Sequence, residues 1–336
     1  MTVAVPRSVS QEFTDDPPLS PSGATPFGSN YLGFFRLSLY GLVTLALTPL
    51  QILVLLVARR QWWALPFAYH KLCCRIMGLK VRVVGKPANG RPALFVSNHV
   101  SYLDIPVLGS LVPVSFVAKV EVAQWPGYGW LAKLQRTVFV DRRRNTTLQQ
   151  RDSLHARLVA GDALVLFPEG TSNDGNRILP FRSALLSVAE AAPAERPLAI
   201  QPVSIAYTSV NGVPLGWGLR PLVAWYGGME LGGHLWRFSR LGQVEVVVQF
   251  HDETRVGDFP SRKELTRHCS EAVAGGVDRA LGGRLPAALS GAQKNSIVTS
   301  VYARLAGFGK SSTGDRPTAC YIGGGQSPTW SGRGRT

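Results

Sequence analysis

Residues 37–58, LSLYGLVTLALTPLQILVLLVA, run without one charged side chain. At about 1.5 Å of rise per residue a helix of this length reaches roughly 33 Å, enough for a hydrocarbon core of about 30 Å. Pro49 lies inside the run and predicts a kink, which membrane helices tolerate. The next stretch, QWWALPFAYHKLCCRIMGL, predicts a second helix. It reads either as an amphipathic helix on a membrane surface, with Trp62 and Trp63 at interface depth, or as the first core helix of a soluble domain.

From about residue 80 the apolar pattern changes period. Short β-branched runs follow one another: VRVVG, ALFVS, VSFVA, TVFVD, ALVLF, LAIQPVSIAY and VEVVVQF. Helix-like segments, TTLQQRDSLHARLVAG and FRSALLSVAEAA, separate several of them, and a further helix is expected over 261–281. Strand runs alternating with helices predict an α/β domain with a mostly parallel central sheet of about seven strands flanked by helices. A membrane helix or two-helix membrane anchor precedes it. The expected organisation is a disordered tail over 1–28, a membrane-anchoring helical segment over 29–79, a catalytic domain over 80–285, and a mostly disordered tail over 286–336.

Charge sharpens this picture. The 336 residues carry a formal charge of +15, with a pI near 10.1, which favours anionic partners. The bases are not evenly spread. Arg59, Arg60, Lys71, Arg75, Lys80 and Arg82 follow the apolar run, whereas Arg36 alone stands close before it. Positive charge stays inside, so the catalytic domain is expected on the cytoplasmic face of the inner membrane. The N-terminal tail lacks the basic start and apolar core of a cleavable signal. Cys73, Cys74, Cys269 and Cys320 form no CxxC pair and read as reduced thiols, with neither a disulfide framework nor a zinc site expected.

Chemistry concentrates at strand ends, where α/β sheets place their sites. In FVSNHVSYLDIP, the run ALFVS ends just before Asn98 and His99, and Asp104 follows five residues after the histidine. An imidazole is a competent general base near neutral pH when an acid on its other nitrogen fixes its tautomer. The intervening VSYL is expected to turn into a helix and bring Asp104 back beneath the ring. In LFPEGTSNDG, Pro168 and Gly170 bracket Glu169 in a sharp turn after a strand, with Thr171 next. In TVFVDRRRN, Arg142, Arg143 and Arg144 leave a third strand together, and an arginine fork suits phosphate. No GxSxG elbow accompanies the histidine, and no third metal ligand stands near His99 and Asp104.

These residues resemble a family. NHVSYLD matches the NHxxxxD signature of the glycerolipid acyltransferases. FVDR, FPEGT and IQPVSIAY, with Pro202, look like that family's second, third and fourth blocks in the right order, and the similarity covers roughly residues 80–250. The resemblance implies transfer of an acyl chain from acyl-carrier protein or coenzyme A to a lysolipid hydroxyl, with no cofactor, metal or nucleic acid. His99 would deprotonate the acceptor and Asp104 would orient His99. Asn98, Arg142, Glu169, Gly170 and Thr171 would bind substrate, Arg142 through the acceptor's phosphate. Two positions depart from the family pattern: Arg136 stands where the second block often begins with glycine, and Ser172 where an arginine often follows FPEGT. Both are expected to change the acceptor site. The leading expectation is therefore a lysophosphatidate O-acyltransferase. FPEGTSNDGNRILPFRSALL and WYGGMELGGHLW resemble the branch that includes lyso-ornithine lipid acyltransferases, which is the alternative. A lipid esterase or a non-catalytic membrane-surface protein is a remote one.

Overall fold

The computed structural model describes residues 28–88, 92–140, 154, 156–158, 160–191 and 198–284. All seven β-branched runs become strands: β1 (Leu79–Val84), β2 (Ala93–Ser97), β3 (Ser115–Lys119), β4 (Val138–Val140), β5 (Ala163–Leu166), β6 (Ala199–Val210) and β8 (Val244–Phe250). A two-residue β7 (Val213–Pro214) folds back on β6 as a hairpin. The sheet order is β1-β8-β6-β2-β5-β3-β4. Every pairing along that path is parallel except β6 with β8, so β1 and β8 run against the other five.

Strand β2 lies in the middle and is buried at all five positions. That is the continuous apolar run expected of a strand covered on both faces. Its alternate side chains feed separate cores. Phe95 packs with Val165 and Phe116 on one face, whereas Leu94 and Val96 pack with Leu164 and Leu166 on the other. Burying each of these large side chains contributes about 1.5–3 kcal/mol.

Six helices among the described residues flank this sheet. They are α1 (Asn30–Val57), α2 (Ala64–Ile76), α3 (Asp104–Leu111), α4 (Tyr128–Leu134), α5 (Leu231–Ser239) and α6 (Arg262–Leu281). Helix α6 matches the helix expected near the end of the domain, and Ser261 caps it by accepting from the Glu264 amide. FRSALLSVAEAA forms a 3₁₀ helix over Ser183–Ala191 instead of an α-helix. Its buried Leu186 and Ala189 are three apart, the spacing that aligns side chains on a three-residue turn. TTLQQRDSLHARLVAG lies mostly outside the described residues, as do both expected tails.

Helix α1 is long and apolar enough to cross a membrane, and most of its large side chains are exposed. Two buried polar residues about 22 Å apart along its axis, from the rise per residue between Arg36 and Gln51, tie it to the domain, and Leu39, Tyr40, Val43 and Thr44 pack on it between them. Buried Arg36 donates to the carbonyls of Ser239, Leu241 and Gly242. Buried Gln51 donates to the carbonyls of Trp62 and Leu134. The helix therefore lies along the domain, with Leu42, Leu45, Leu53 and Leu56 facing outward.

Helix α2 buries Phe67, His70, Cys73, Cys74 and Ile76, and packs chiefly on α3, as a first core helix does. Trp62 corrects an expectation: it is only 4% exposed, lying under the guanidinium groups of Arg136 and Arg157 instead of at interface depth.

Candidate active site

Chain geometry at the end of β2 delivers His99. The Asn98 side chain accepts from the Ile205 amide at 2.8 Å and donates to the Ile205 carbonyl at 2.9 Å. It thus extends the β2–β6 ladder by one step with a side chain in place of backbone. The main chain is released from the sheet there, and the next residue turns out of it.

VSYL forms a turn, and α3 begins only at Asp104. The Asp104 amide donates back to the Ser101 carbonyl at 3.0 Å. This turn returns the carboxylate to the ring. His99 Nδ1 lies 2.8 Å from Asp104 Oδ2. The same oxygen accepts from the amides of Val100 (2.7 Å) and Ser101 (3.0 Å), while Oδ1 accepts from the Tyr207 hydroxyl at 2.9 Å. Asp104 is fully buried and also occupies the first turn of α3, where the helix dipole favours a negative charge. With three other donors already on its two oxygens, Asp104 meets His99 as an acceptor. His99 Nδ1 therefore carries the proton, and Nε2 keeps its lone pair. The ring is 21% exposed and stacks on Phe167, with centroids 4.2 Å apart and planes at 20°.

Glu169 braces this arrangement from behind. Its Oε1 accepts from the His99 amide at 2.9 Å, and its Oε2 accepts from the Leu179 amide at 3.1 Å and from the Asn173 side chain. Burial pushes its pKa up to about 7, against the pull of those N–H donors. The Asn173 amide donates to the His99 carbonyl at 3.1 Å, so the loop after β5 grips His99 from both sides of its peptide. Gly170, at φ +79°, gives the left-handed turn that this loop requires.

A cavity of about 480 Å³ opens at His99. Gly170, Thr171 and Ser172 line its mouth together with Tyr102, Trp225 and Tyr226. Inward it runs past Phe116, Leu131 and Leu134 to α1 and α2, where Leu47, Leu65 and Cys73 contribute. A largely apolar tube that begins at a base suits an acyl chain.

The expected site residues sort accordingly. His99 and Asp104 meet, and His99 meets Glu169 because β2 and β5 are neighbours. Asn98 and Glu169 are both buried and bonded to the protein on both polar ends, and neither is among the residues lining the cavity. Arg142 lies outside the described residues. Strand β4, which ends at Val140, is three positions from β2, roughly 14 Å across the sheet. Arg136 is also corrected. It precedes β4 at the opposite end of the strands from His99 and packs on Trp62 instead of lining the cavity. Its φ of +57° shows why the family favours glycine there. Of the two departures, only Ser172 lines the cavity.

A family model described as Acyltransferase matches residues 80–206, the span that carries this histidine and both of its braces. A lyso-ornithine lipid O-acyltransferase from Brucella abortus (strain 2308) is 45% identical over 246 residues, 72% of this chain and 92% of the relative. The chain belongs to the acyltransferase family. A lyso-ornithine lipid O-acyltransferase from Rhizobium meliloti (strain 1021) is 39% identical over 270 residues, covering 77% of this chain and 92% of the relative. A 1-acyl-sn-glycerol-3-phosphate acyltransferase from Neisseria gonorrhoeae is 31% identical over 193 residues, 56% of this chain and 72% of the relative. The crystal structure of a 1-acyl-sn-glycerophosphate acyltransferase from Thermotoga maritima shares the fold, with a TM-score of 0.56 at 22% identity over 76% of this chain and 97% of that one.

This acyltransferase is thus an enzyme that transfers acyl groups. Three residues that support its histidine escaped the sequence reading. Tyr207 sits inside IQPVSIAY, and its alternation with Ile205 places both on one face of β6. Phe167 and Asn173 flank Glu169 in a loop whose bonding depends on tertiary contact. Tyr207→Phe keeps the ring and removes one of four bonds to Asp104. A kcat reduced by about 10- to 100-fold is expected, since one bond to a charged group contributes about 1.5–3 kcal/mol. Steady-state acyl transfer measures it, and a loss as deep as that of an Asp104 variant would contradict this subordinate role.

Proposed function

We propose that this acyltransferase moves a fatty acyl chain from a thioester to the hydroxyl of a lyso-ornithine lipid at a membrane surface. The observation that carries the reaction is the His99–Asp104 pair at the mouth of the apolar cavity. His99 Nε2 takes the proton of the acceptor hydroxyl as that oxygen attacks the thioester carbonyl. Asp104 stabilises the imidazolium that forms. When the tetrahedral intermediate collapses, the C–S bond breaks and the imidazolium returns its proton to the departing thiolate. No acyl-enzyme is needed, because the substrate brings its own nucleophile. Gly170 and Thr171 lie at the mouth, where the acceptor enters.

The acceptor reading is supported by the two lyso-ornithine relatives at 45% and 39% identity, against 31% for the Neisseria phosphate-acceptor enzyme. Ser172 agrees with it, presenting a neutral hydroxyl where a phosphate site would favour a cation. Lysophosphatidate is the second reading, favoured by Arg142–Arg144. The donor is acyl-carrier protein or coenzyme A, both anionic and matched to a chain of net charge +15. The anchoring of α1 along the domain at Arg36, Thr44 and Gln51 supports a helix embedded along one leaflet, the cytoplasmic one of the inner membrane, with the basic flank beside anionic headgroups.

Supplying lyso-ornithine lipid and lysophosphatidate separately with labelled acyl thioester tests the acceptor. Faster transfer to lyso-ornithine lipid is expected, and exclusive use of lysophosphatidate sinks that assignment. If lysophosphatidate is used at all, Arg142→Ala should reduce that transfer selectively, by the roughly 1.5–3 kcal/mol of a charge-assisted contact.

A further inference from the structure

The far end of the cavity is polar. Gln51 of α1, His70 of α2 and Gln135, just past α4, all line it. Gln51 is 5% exposed and His70 6%.

Their bonds assign their free atoms. Gln51 Nε2 reaches the carbonyls of Trp62 and Leu134, each at 3.1 Å. Only an NH₂ group donates to two carbonyls, so Gln51 Oε1 is left as an acceptor. Gln135 Nε2 donates to the Val114 carbonyl at 3.4 Å, which makes Gln135 Oε1 the acceptor toward His70 Nε2 at 3.0 Å. His70 Nε2 therefore carries the ring proton. Burial pushes the His70 pKa down to about 4, so the ring is neutral at physiological pH and Nδ1 holds a lone pair. Among the described residues no donor reaches Gln51 Oε1 or His70 Nδ1. An unpaired buried acceptor costs about 1–3 kcal/mol, and here two of them belong to residues that line one cavity. Gln51 is tied to Leu134 and His70 to the adjacent Gln135, so the two side chains are anchored at neighbouring positions of the chain.

Sheet register gives their depth. Phe95 and Phe116 both pair with Val165. Val114, which holds Gln135, stands two residues before that level, and His99 four residues after it. Strand β2 ends at Ser97, four strand steps or roughly 13 Å from the level of Val114, and His99 lies just beyond. A chain whose carbonyl sits at His99 meets the polar end only with its distal carbons.

We propose that Gln51 and His70 form a subsite for a hydroxyl group carried toward the methyl end of a fatty acyl chain. This rests on the acyl-transfer reading and deepens it. A plain methyl end leaves both acceptors unpaired, whereas an O–H donates to one of them. The hydroxylated chain belongs either to the thioester or to the lysolipid, since both present the same group.

The test uses full-length enzyme in detergent micelles and chains of one length, with and without a distal hydroxyl. The hydroxyl is placed on the thioester in one arm and on the lysolipid in the other. Transfer of the plain chain by the wild type reports the acyl-transfer reading alone, and the ratio of kcat/KM between the two chains reports the subsite. A wild-type ratio of about 10 in favour of the hydroxylated chain is expected in one arm, falling toward 1 in at least one of Gln51→Met and His70→Phe. These swaps roughly conserve volume, and the ratio is internal to each variant, so altered stability does not mimic the effect. A wild type that favours the plain chain in both arms, or a ratio equal in the wild type and both variants, overturns the subsite. No transfer of either chain overturns it together with the reading beneath it.

Discussion

His99→Ala is expected to reduce acyl transfer by about 10²–10⁴-fold, the contribution of a positioned general base, while the protein still folds and enters the membrane fraction. The imidazole stacks on Phe167 but is 21% exposed, and its only side-chain bond goes to Asp104. Truncation removes a stacking contact worth about 0.5–1.5 kcal/mol and leaves the backbone grip of Glu169 and Asn173 intact. Labelled-acyl transfer to a lysolipid, read beside a thermal melt in detergent, separates the two effects. Turnover near that of the wild type in this variant would falsify the mechanism.

Asp104→Asn is expected to be nearly as damaging, at about 10³–10⁴-fold in kcat, for a different reason. The amide is isosteric and the site can accommodate it. Its oxygen takes the place of Oδ2, accepting from His99 Nδ1 and from the amides of Val100 and Ser101, while its NH₂ turns to the Tyr207 oxygen. The turn survives in that pose. The negative charge does not, and nothing then stabilises the imidazolium on its buried side. The signature is a collapse of kcat with little change in KM, because Asp104 is fully buried and touches no substrate. A variant that keeps kcat and loses KM would place Asp104 in binding instead.

Much of this was legible in the sequence because it depends on short-range pattern. Seven β-branched runs became seven strands, since a strand buried on both faces must be apolar throughout. The chemistry at strand ends followed from the same runs, because the residue after a strand is where the chain leaves the sheet. His99 and Asp104 are five residues apart, and a single turn brings them together.

What escaped depends on contacts distant in sequence. Asn98 looked like a substrate contact because it precedes the catalytic histidine, yet its partner is Ile205 on β6. Glu169 looked like part of an acceptor pocket, yet its partners are the backbone of His99 and the loop through Leu179. Trp62 has the composition of an interfacial residue, but two arginines from later in the chain cover it. Arg136 differs from the family glycine in identity and not in location, and only the backbone angle reveals what the glycine was for.

The sequence by itself determined the strands, the apolar helix, the base and its acid, because periodicity and a five-residue spacing are local properties. Strand order, which sets β2 beside β5 and β4 well away, was decided by the tertiary structure. So were the path of the cavity from His99 to α1 and the presence of Gln51 and His70 together in its lining. The physical reason is that a buried polar atom is defined by whether a partner reaches it, and those partners come from segments that only packing brings together.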